Sequence, residues 1–437
     1  MTRRLRIAVV ANEFPALSET FVLNHVAGLL DMGHEVVVLA NLPRAETIIH
    51  RDVERYALTG RTIYREMPEN KLRRVLDGLG LLARATWHRD GAPWRALDTR
   101  HLGREARSLA LLYWADRLRG EAPFDAIHCH FGMVGRTMAY LREIGAIEGP
   151  LYVTFHGVDV SAVLDADPHA YDHLFRNADH FLPISELWHA RLIAHGCPPE
   201  RTTVHRVGID MTEFPFCGRD LLRSETRPLR VLCVGRLVEK KGVRFACEAV
   251  ALARQHGLST ELTIVGDGPL HTELKSLATK GALRGHVRFA GWQNHDEVRR
   301  LYYTHDILMA PSVTDAVGDK EGIPVTLMEA MATGIPVIST WHSGIPELVE
   351  NGVSGLLAPE RDAAALAAAL ATLAASPDYA RTLAARARNK VAAHFDRRAL
   401  DARLVELYCA TAEGLVKPEP VTSQPASHPD PLGAIRA

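Results

Sequence analysis

Two glutamates, Glu321 and Glu329, carry the strongest chemical signal in this sequence of 437 residues. They lie in the segment EGIPVTLMEAMATGIPVIST, where a glycine-containing loop leads into a predicted helix that is followed by a strand. With Pro324 as the first helical residue, the amides of Gly322 and Ile323 point outward at the helix N-terminus, where the helix dipole favours an anion. The segment therefore predicts a phosphate or diphosphate site.

A basic loop earlier in the same half of the chain supplies further partners for an anion. The sequence GRLVEKKG (235–242) follows a predicted strand, so Arg236 and Lys241 lie at a strand's carboxyl end, where open α/β sheets bind ligands. Guanidinium and ammonium groups both suit phosphate oxygens. A solvated basic loop is the simpler alternative, but the glutamate segment favours a binding role.

The spacing of the two glutamates argues against an acid and base pair that cleaves a glycosidic bond. Retaining glycoside hydrolases need two carboxylates about 5 Å apart. Residues eight apart span roughly 12 Å along a helix. We therefore expect Glu321 and Glu329 to bind opposite ends of one ligand, and the hydroxyls of a ribose would satisfy Glu329 in its apolar helix. The alternatives are a solvated acid at Glu321 and an exposed helix-face acid at Glu329.

Histidines at strand ends form a third group of candidates. The sequence VTFHGVDVS places His156 at the end of a predicted strand of the first half, where it would face the second half across a cleft. A hydrogen-bonded packing role is the alternative. The sequence IHCHFG adds His128 and His130, but no carboxylate or cysteine recurs at ligand spacing, so we expect no metal site.

Two series of strands alternating with helices must position these residues. Apolar runs typical of strands occupy 6–11, 35–40, 125–129, 151–155 and 180–184, and then 230–235, 262–266, 287–291, 307–311 and 336–340. Such alternation indicates parallel sheets with helices on both faces. We predict an α/β chain with two doubly wound domains in tandem.

Composition narrows the function classes. A formal net charge of −1 gives no global signal for nucleic-acid binding. The six cysteines lack C-x-x-C spacing, which fits reduced thiols in a cytoplasmic protein. No apolar run approaches the roughly 18 residues of a membrane span. Motifs of nicotinamide enzymes, P-loop NTPases and serine hydrolases are absent from the sequence.

A long insertion, about residues 44–123, interrupts the first half and is predicted to be helical. Residues 51–120 contain 15 Lys or Arg against 9 Asp or Glu. A basic amphipathic helix can lie on an anionic membrane, so one hypothesis is a peripheral contact through Arg73, Arg74 and Arg84. A solvated helical cap over the sheet is the other hypothesis.

Together, GRLVEKKG, GDGPL, FAGW, the glutamate segment and GIPELVENGVSGLL resemble the retaining glycosyltransferase family 4 over most of residues 1–410. The resemblance implies the GT-B fold, with two Rossmann-like domains that face a central cleft. The N-terminal motifs EFPALSETFVLNHV, CHFG and TFHGVDVS are similar to the branch that builds bacterial exopolysaccharides, including colanic-acid-type enzymes.

A polar, irregular stretch from Phe214 to Pro228 separates the two predicted domains, and the resemblance suggests the role of each. Residues 1–215 are expected to form the acceptor-side domain and residues 216–397 the nucleotide-sugar-binding domain. Residues 398–415 are expected to form a helix that crosses back to the first domain. The proline-rich residues 416–437 are expected to form a disordered tail.

The resemblance also implies an activity. The expected enzyme is a hexosyltransferase that moves a hexose from a nucleotide-diphosphate sugar to a saccharide acceptor, usually lipid-linked, at the inner face of the cytoplasmic membrane. It requires no metal and no other cofactor. A nucleotide-sugar epimerase with the same fold is the alternative, and a non-catalytic scaffold is a third hypothesis; incubating the donor alone separates epimerase from transferase.

Site residues are carried over position by position. Arg236 and Lys241 are expected to bind the donor diphosphate, and Glu329 the nucleotide ribose. His156 corresponds to the active-site histidine of the first domain, close to the donor sugar. The transferred sugar and its phosphate are assigned to Glu321, Gly322 and Ile323. In many relatives a glycine-rich loop follows the first strand; here that loop reads PALSETF, which leaves Ser18, Glu19 and Thr20 without an assigned role.

Overall fold

The chain folds into two six-stranded parallel sheets, each covered by helices, which confirms the predicted α/β fold class. The structure is a computed structural model that describes residues 3–16, 19–43, 51–218 and 227–412. Among these residues, no helix is both long and apolar enough to cross a membrane.

The first sheet has the strand order β3-β2-β1-β4-β5-β6, which is the order of a Rossmann fold. Its strands are β1 Arg6–Phe14, β2 Glu35–Pro43, β3 Thr62–Tyr64, β4 Ala126–His130, β5 Leu151–Phe155 and β6 His180–Pro183. Every residue of β4 and β5 is buried, because helices cover both faces of the sheet.

The second sheet repeats this topology in the order β12-β11-β10-β7-β8-β9. Its strands are β7 Leu229–Val234, β8 Thr260–Val265, β9 Val287–Gly291, β10 Ile307–Ala310, β11 Val337–Thr340 and β12 Leu356–Ala358. The sequence patterns predicted ten of the twelve strands. The two missed strands, β3 and β12, are three-residue edge strands, too short to show an apolar run.

Nineteen α-helices lie in the part of the chain that the structure describes. In the first half they are α1 Thr20–Asp31, α2 Arg51–Arg55, α3 Lys71–Trp87, α4 Ala92–Arg95, α5 Thr99–Leu102, α6 Arg104–Arg107, α7 Ala110–Arg117, α8 Gly132–Glu143, α9 Ala162–Ala166, α10 Asp172–Asn177 and α11 Glu186–Ala194. In the second half they are α12 Val243–Gln255, α13 His271–Ala278, α14 His295–Thr304, α15 Val325–Thr333, α16 Ile345–Leu348, α17 Ala363–Ala375, α18 Pro377–His394 and α19 Arg397–Ala412.

The insertion between β2 and β4 contains α2 to α7 and the short edge strand β3. Its longest helix, α3, packs on α4 and α7 through Gly78, Leu82 and Ala85. The opposite side of α3 is exposed. Residues 44–50 of the predicted insertion lie outside the described residues.

The last helix, α19, returns to the first half of the chain and packs on α1. Leu404, Val405 and Tyr408 join the apolar core beneath β1 and β2. The predicted tail, residues 416–437, lies outside the described residues.

Candidate active site

A cleft of about 830 Å³ lies between the two domains, at the ends of their central strands. Its walls include residues that follow β5 in the first domain and β7 in the second, as expected for ligand sites of open α/β sheets. All seven predicted site residues line this cleft: His156, Arg236, Lys241, Glu321, Gly322, Ile323 and Glu329.

The basic loop after β7 brings Lys241 to the glutamate segment. A short 3-10 turn over Glu239–Lys241 ends at Gly242, which has a φ of 61° and whose Cβ would lie 1.9 Å from the carbonyl oxygen of Pro311. Only glycine fits this left-handed, crowded position. The turn places Lys241 Nζ 2.8 Å from Glu321 Oε2, and Arg236 is exposed at the cleft without a polar side-chain partner among the described residues.

Glu321 is a buried carboxylate held by two ammonium groups. Lys240 Nζ lies 3.7 Å from its other oxygen and also bonds Asp319 at 2.8 Å. Burial alone would raise the pKa of Glu321, but Lys241 and Lys240 outweigh it and lower that pKa below its ordinary value. The side chain is therefore ionised at neutral pH, and its 9% exposure excludes the alternative of a solvated acid.

A buried histidine, which the sequence analysis missed, positions the Glu321 backbone. The Glu321 amide donates to His342 Nε2 at 3.0 Å, and His342 Nδ1 donates to Glu360 Oε1 at 2.6 Å. Glu360 also accepts a hydrogen bond from the Thr314 amide. His342 follows β11, so its place at the carboxyl end of a predicted strand was the signal that could have identified it.

The N-terminus of α15 lies beside this carboxylate. The helix begins at Val325, and Pro324 is its N-cap with an extended ψ of 123°, so the prediction of Pro324 as the first helical residue was wrong by one position. The amides of Gly322 and Ile323 donate to no carbonyl within the described ranges. They remain available to an anion at the positive end of the helix dipole.

Glu329 lies inside α15 and is only 8% exposed, which excludes the exposed helix-face alternative. The Tyr302 hydroxyl donates to Glu329 Oε2 at 2.7 Å, and His295 Nε2 lies 3.5 Å from Oε1. Burial and then the nearby carboxylate raise the pKa of Tyr302 well above its usual value, so this hydroxyl stays a donor. Tyr302 therefore supplies a hydrogen bond to one of the two Glu329 oxygens that the sequence predicted to bind ribose hydroxyls.

The loop after β5 brings His156 against the second domain. The buried carboxylate of Asp159 accepts hydrogen bonds from the amides of Gly132, His156 and Gly157, and burial raises its pKa to about 6 despite these bonds. A Cβ on Gly157 would lie 2.9 Å from the Lys320 carbonyl oxygen. Asp159, which the sequence analysis missed, fixes the loop, and glycine allows the close approach.

His156 itself is a buried, neutral imidazole. Burial lowers its pKa to about 3. Its ring packs against Phe21 and Phe131, with centroid distances of 4.3 and 4.7 Å, and its Nε2 lies 3.1 Å from His130 Nδ1.

Glu19 and Thr20, to which the sequence assigned no role, also line the cleft, whereas Ser18 lies outside the described residues.

The strand-end histidines meet a third histidine that sequence spacing could not reveal. One ring nitrogen from each of His25, His128 and His130 lies within 4.8 Å of the other two, and all three residues are buried. Both ring nitrogens of His128 already have partners, Tyr408 Oη at 2.6 Å and Thr154 Oγ1 at 2.8 Å.

Both halves of the chain match models of known protein families. Residues 18–208 match the model described as "Glycosyl transferase 4-like domain", and residues 228–376 match "Glycosyl transferases group 1". The chain is 39% identical over 415 residues to WcaL of Salmonella typhimurium, a glycosyltransferase named for colanic acid biosynthesis, with 92% of this chain and 99% of WcaL covered. The chain belongs to this glycosyltransferase family.

A second relative agrees with the family, and a solved structure agrees with the fold. The amylovoran biosynthesis glycosyltransferase AmsK of Erwinia amylovora is 38% identical, with 92% of this chain and 99% of AmsK covered. The crystal structure of HepE from Anabaena with UDP and glucose aligns at a TM-score of 0.69 and 18% identity, covering 93% of this chain and all of HepE. The predicted GT-B fold of this glycosyltransferase is confirmed, and the epimerase alternative gains no support.

Proposed function

We propose that this glycosyltransferase moves a hexose from a nucleotide-diphosphate sugar to a saccharide acceptor and retains the anomeric configuration. The ion pair between Lys241 and Glu321, beside the exposed Arg236, carries this proposal. This pair brings positive charge and a carboxylate close to the amides of Gly322 and Ile323, and we expect the sugar and its diphosphate to meet there.

The reaction breaks the bond between the anomeric carbon and the diphosphate oxygen. Negative charge grows on the leaving diphosphate, where Lys241, Arg236 and the α15 N-terminus stabilise it. The acceptor hydroxyl attacks the same face that the diphosphate leaves, and its proton passes to the leaving phosphate oxygen. Glu321 binds hydroxyls of the transferred sugar, and Glu329 binds the ribose through the oxygen that Tyr302 does not hold.

Protein cations take the place of a metal ion in this proposal. Lys240, Lys241 and Arg236 stand at one end of the cleft and supply the charge that Mg²⁺ provides in other phosphate sites. We expect excess EDTA to leave transfer unchanged. Activity that vanishes with EDTA and returns with a divalent cation would contradict this part of the mechanism.

Donor and acceptor classes are proposed from the relatives. HepE has been crystallised with UDP and with UDP-glucose, which supports a nucleotide-sugar donor for this fold. WcaL and AmsK are named for colanic acid and amylovoran biosynthesis, so we propose a role in bacterial surface polysaccharide synthesis. The lipid-linked acceptor is proposed from the family resemblance of the N-terminal motifs.

A donor panel tests this function. UDP-, GDP- and ADP-sugars are added one at a time, and thermal unfolding is followed with and without each sugar. A true donor at 100 times its dissociation constant adds about 2.7 kcal/mol of stability. The bound sugar is then incubated alone and with lipid-linked saccharides. Transfer only with acceptor supports the proposal, and conversion of the donor to another sugar without acceptor overturns it.

A lipid-linked acceptor requires the enzyme to reach a membrane, and α3 offers an exposed apolar ridge for this contact. The ridge consists of Leu72, Leu76, Leu79 and Trp87, which recur along one side of the helix and are between 58% and 86% exposed. An exposed ridge of this size on a soluble domain marks an interaction surface. Trp94, exposed in the neighbouring helix α4, extends it.

Charge around the ridge favours an anionic bilayer as its partner. Residues 71–95 contain six Lys or Arg and two Asp. All three predicted arginines have partners within the protein: Arg73 pairs with Asp77, Arg74 donates to the carbonyl of Pro68, and Arg84 pairs with Asp116. We propose that the leucines insert into the interface, while the basic residues around them attract the anionic surface.

Vesicle sedimentation tests this contact. Replacing both Leu76 and Leu79 by Ser should weaken binding to anionic vesicles roughly a hundredfold, since each buried leucine contributes on the order of 1.5 kcal/mol and about 1.4 kcal/mol corresponds to tenfold in affinity. Replacing Leu42, an exposed leucine at the end of β2, by Ser is the matched control. Equal binding of the double variant and the control would exclude the ridge as the membrane contact.

A further inference from the structure

Three buried histidines form a continuous hydrogen-bonded chain that ends at the cleft. His25 Nδ1 lies 3.0 Å from His130 Nε2, and His130 Nδ1 lies 3.1 Å from His156 Nε2. The residues come from α1, β4 and the loop after β5, so three separate elements must be packed to build it. His156 is the member that lines the cleft, and its Nδ1 is the ring nitrogen left for a ligand.

The chain is electrically neutral. Burial lowers the pKa of His25, His130 and His156, and the neighbouring histidines lower these values further. A neutral imidazole has one N–H donor and one bare acceptor nitrogen. The three rings must therefore donate in the same direction along the chain, either toward the cleft or away from it.

The far end of the chain decides between the two directions. His25 Nε2 is buried and has no hydrogen-bond partner in the described structure. If the rings donate away from the cleft, this atom carries a buried N–H without an acceptor, which native proteins avoid most strongly. If the rings donate toward the cleft, the same atom is only a bare lone pair, so donation toward the cleft costs less.

We infer that His25 and His130 are positioning residues that fix His156 as a neutral Nδ1–H donor directed at the bound sugar. His156 Nε2 accepts from His130, and the phenyl rings of Phe21 and Phe131 hold the imidazole plane. In this tautomer Nδ1 donates to a hydroxyl oxygen of the transferred sugar and cannot accept the acceptor's proton. The inference rests on the proposed function for the ligand, but the tautomer itself does not.

His25, His128 and His130 could instead hold a metal ion, and their contacts argue against that use. His128 and His130 each have both ring nitrogens engaged, so an ion would have to break hydrogen bonds to Tyr408, Thr154 or His156. Among the ring nitrogens of His25, His128 and His130, only His25 Nε2 has no hydrogen-bond partner in the described structure. A hydrogen-bonded chain uses the observed geometry without rearrangement.

The tautomer can be read directly in the full-length protein labelled with ¹⁵N in its histidine rings. Solid-state ¹⁵N spectra of the parent and of His156→Gln identify the His156 signals by difference. We expect a protonated Nδ1 and a bare Nε2 at His156. A proton on Nε2 in the parent, or one equivalent of bound metal by elemental analysis, would overturn the inference, and neither result depends on transfer activity.

Two substitutions at His130 separate positioning from simple packing. His130→Leu removes the donor to His156 and should lower kcat roughly tenfold, the effect of one lost hydrogen bond. His130→Asn keeps an N–H near the position of Nδ1 and should recover kcat to within about threefold of the parent and restore the tautomer. His256→Leu, at the exposed end of α12, is the control. If the Asn variant loses as much kcat as the Leu variant at equal thermal stability, the inference fails.

Discussion

Replacing Lys241 by Met removes the cation that we propose to stabilise the leaving diphosphate in the cleft. Lys241 Nζ bonds Glu321 Oε2 at 2.8 Å, while Lys240 lies 3.7 Å from the other oxygen. Loss of one charge-stabilising donor in the transition state corresponds to about 2.7–4 kcal/mol, so kcat/KM should fall roughly 10²- to 10³-fold. Lys275→Met, on the exposed side of α13, controls for a change in net charge.

The same substitution also leaves Glu321 as a buried carboxylate with a single, more distant cation. An unpaired buried polar group costs about 1–3 kcal/mol, which Lys240 and the open cleft keep near the lower limit. The double variant Lys241→Met with Glu321→Gln should recover this stability, because the amide carries no charge.

Initial-rate kinetics and urea unfolding of both variants distinguish the two roles. We expect the double variant to regain stability but not activity. If activity returns together with stability, the pair is structural and the proposed stabilisation of the diphosphate is wrong. A kcat/KM of Lys241→Met within threefold of the parent would refute it equally.

Three further predictions concern partners that the structure revealed. Tyr302→Phe removes the hydrogen bond to Glu329 and should raise the KM for the donor about tenfold, because hydrogen bonds to charged groups contribute roughly 1.5–3 kcal/mol. An unchanged KM would exclude a role of Tyr302 in ribose binding. Glu347 accepts hydrogen bonds across the domain interface, from the Glu186 amide at 3.1 Å and from Arg206 at 3.2 Å. Glu347→Ala should therefore loosen the interface and enlarge the radius of gyration measured by small-angle scattering. An unchanged radius would show that this contact does not hold the two domains together. Burial raises the pKa of Asp401 to about 7 in the folded protein, above its value in the unfolded chain. The contribution of Asp401 to the free energy of unfolding is therefore fully present below about pH 4 and is lost as the pH rises through 7, by on the order of 4 kcal/mol. Asp401→Asn should therefore unfold at a higher temperature than the parent at pH 8 but not at pH 4, and equal unfolding temperatures at pH 8 would contradict the shift.

Local sequence patterns were sufficient to predict the strands of the two sheets and the candidate residues at the ends of those strands. Apolar runs separated by helical segments predicted the two sheets, and the rule that ligands bind at strand ends identified Arg236, Lys241 and His156. Glycine and proline placed the α15 N-terminus to within one residue. These features depend on neighbours within a few positions in the chain, so they are visible in one sequence.

Partners distant in sequence could not be predicted in the same way. Glu321 depends on His342 and Glu360, and Glu329 depends on Tyr302, each contributed by another element. The histidine chain joins α1, β4 and the β5 loop, which only the strand order brings together. The membrane hypothesis changed for the same reason, because packing on α7 decides which side of α3 stays exposed.

The stereochemistry of the product tests the central claim most directly. The parent enzyme is incubated with an α-linked nucleotide sugar and a lipid-linked saccharide, and the anomeric proton of the new linkage is observed by NMR at early times. The proposed same-face substitution, with Lys241 and Arg236 stabilising the leaving diphosphate, predicts an α-linkage. A β-linked product would contradict it.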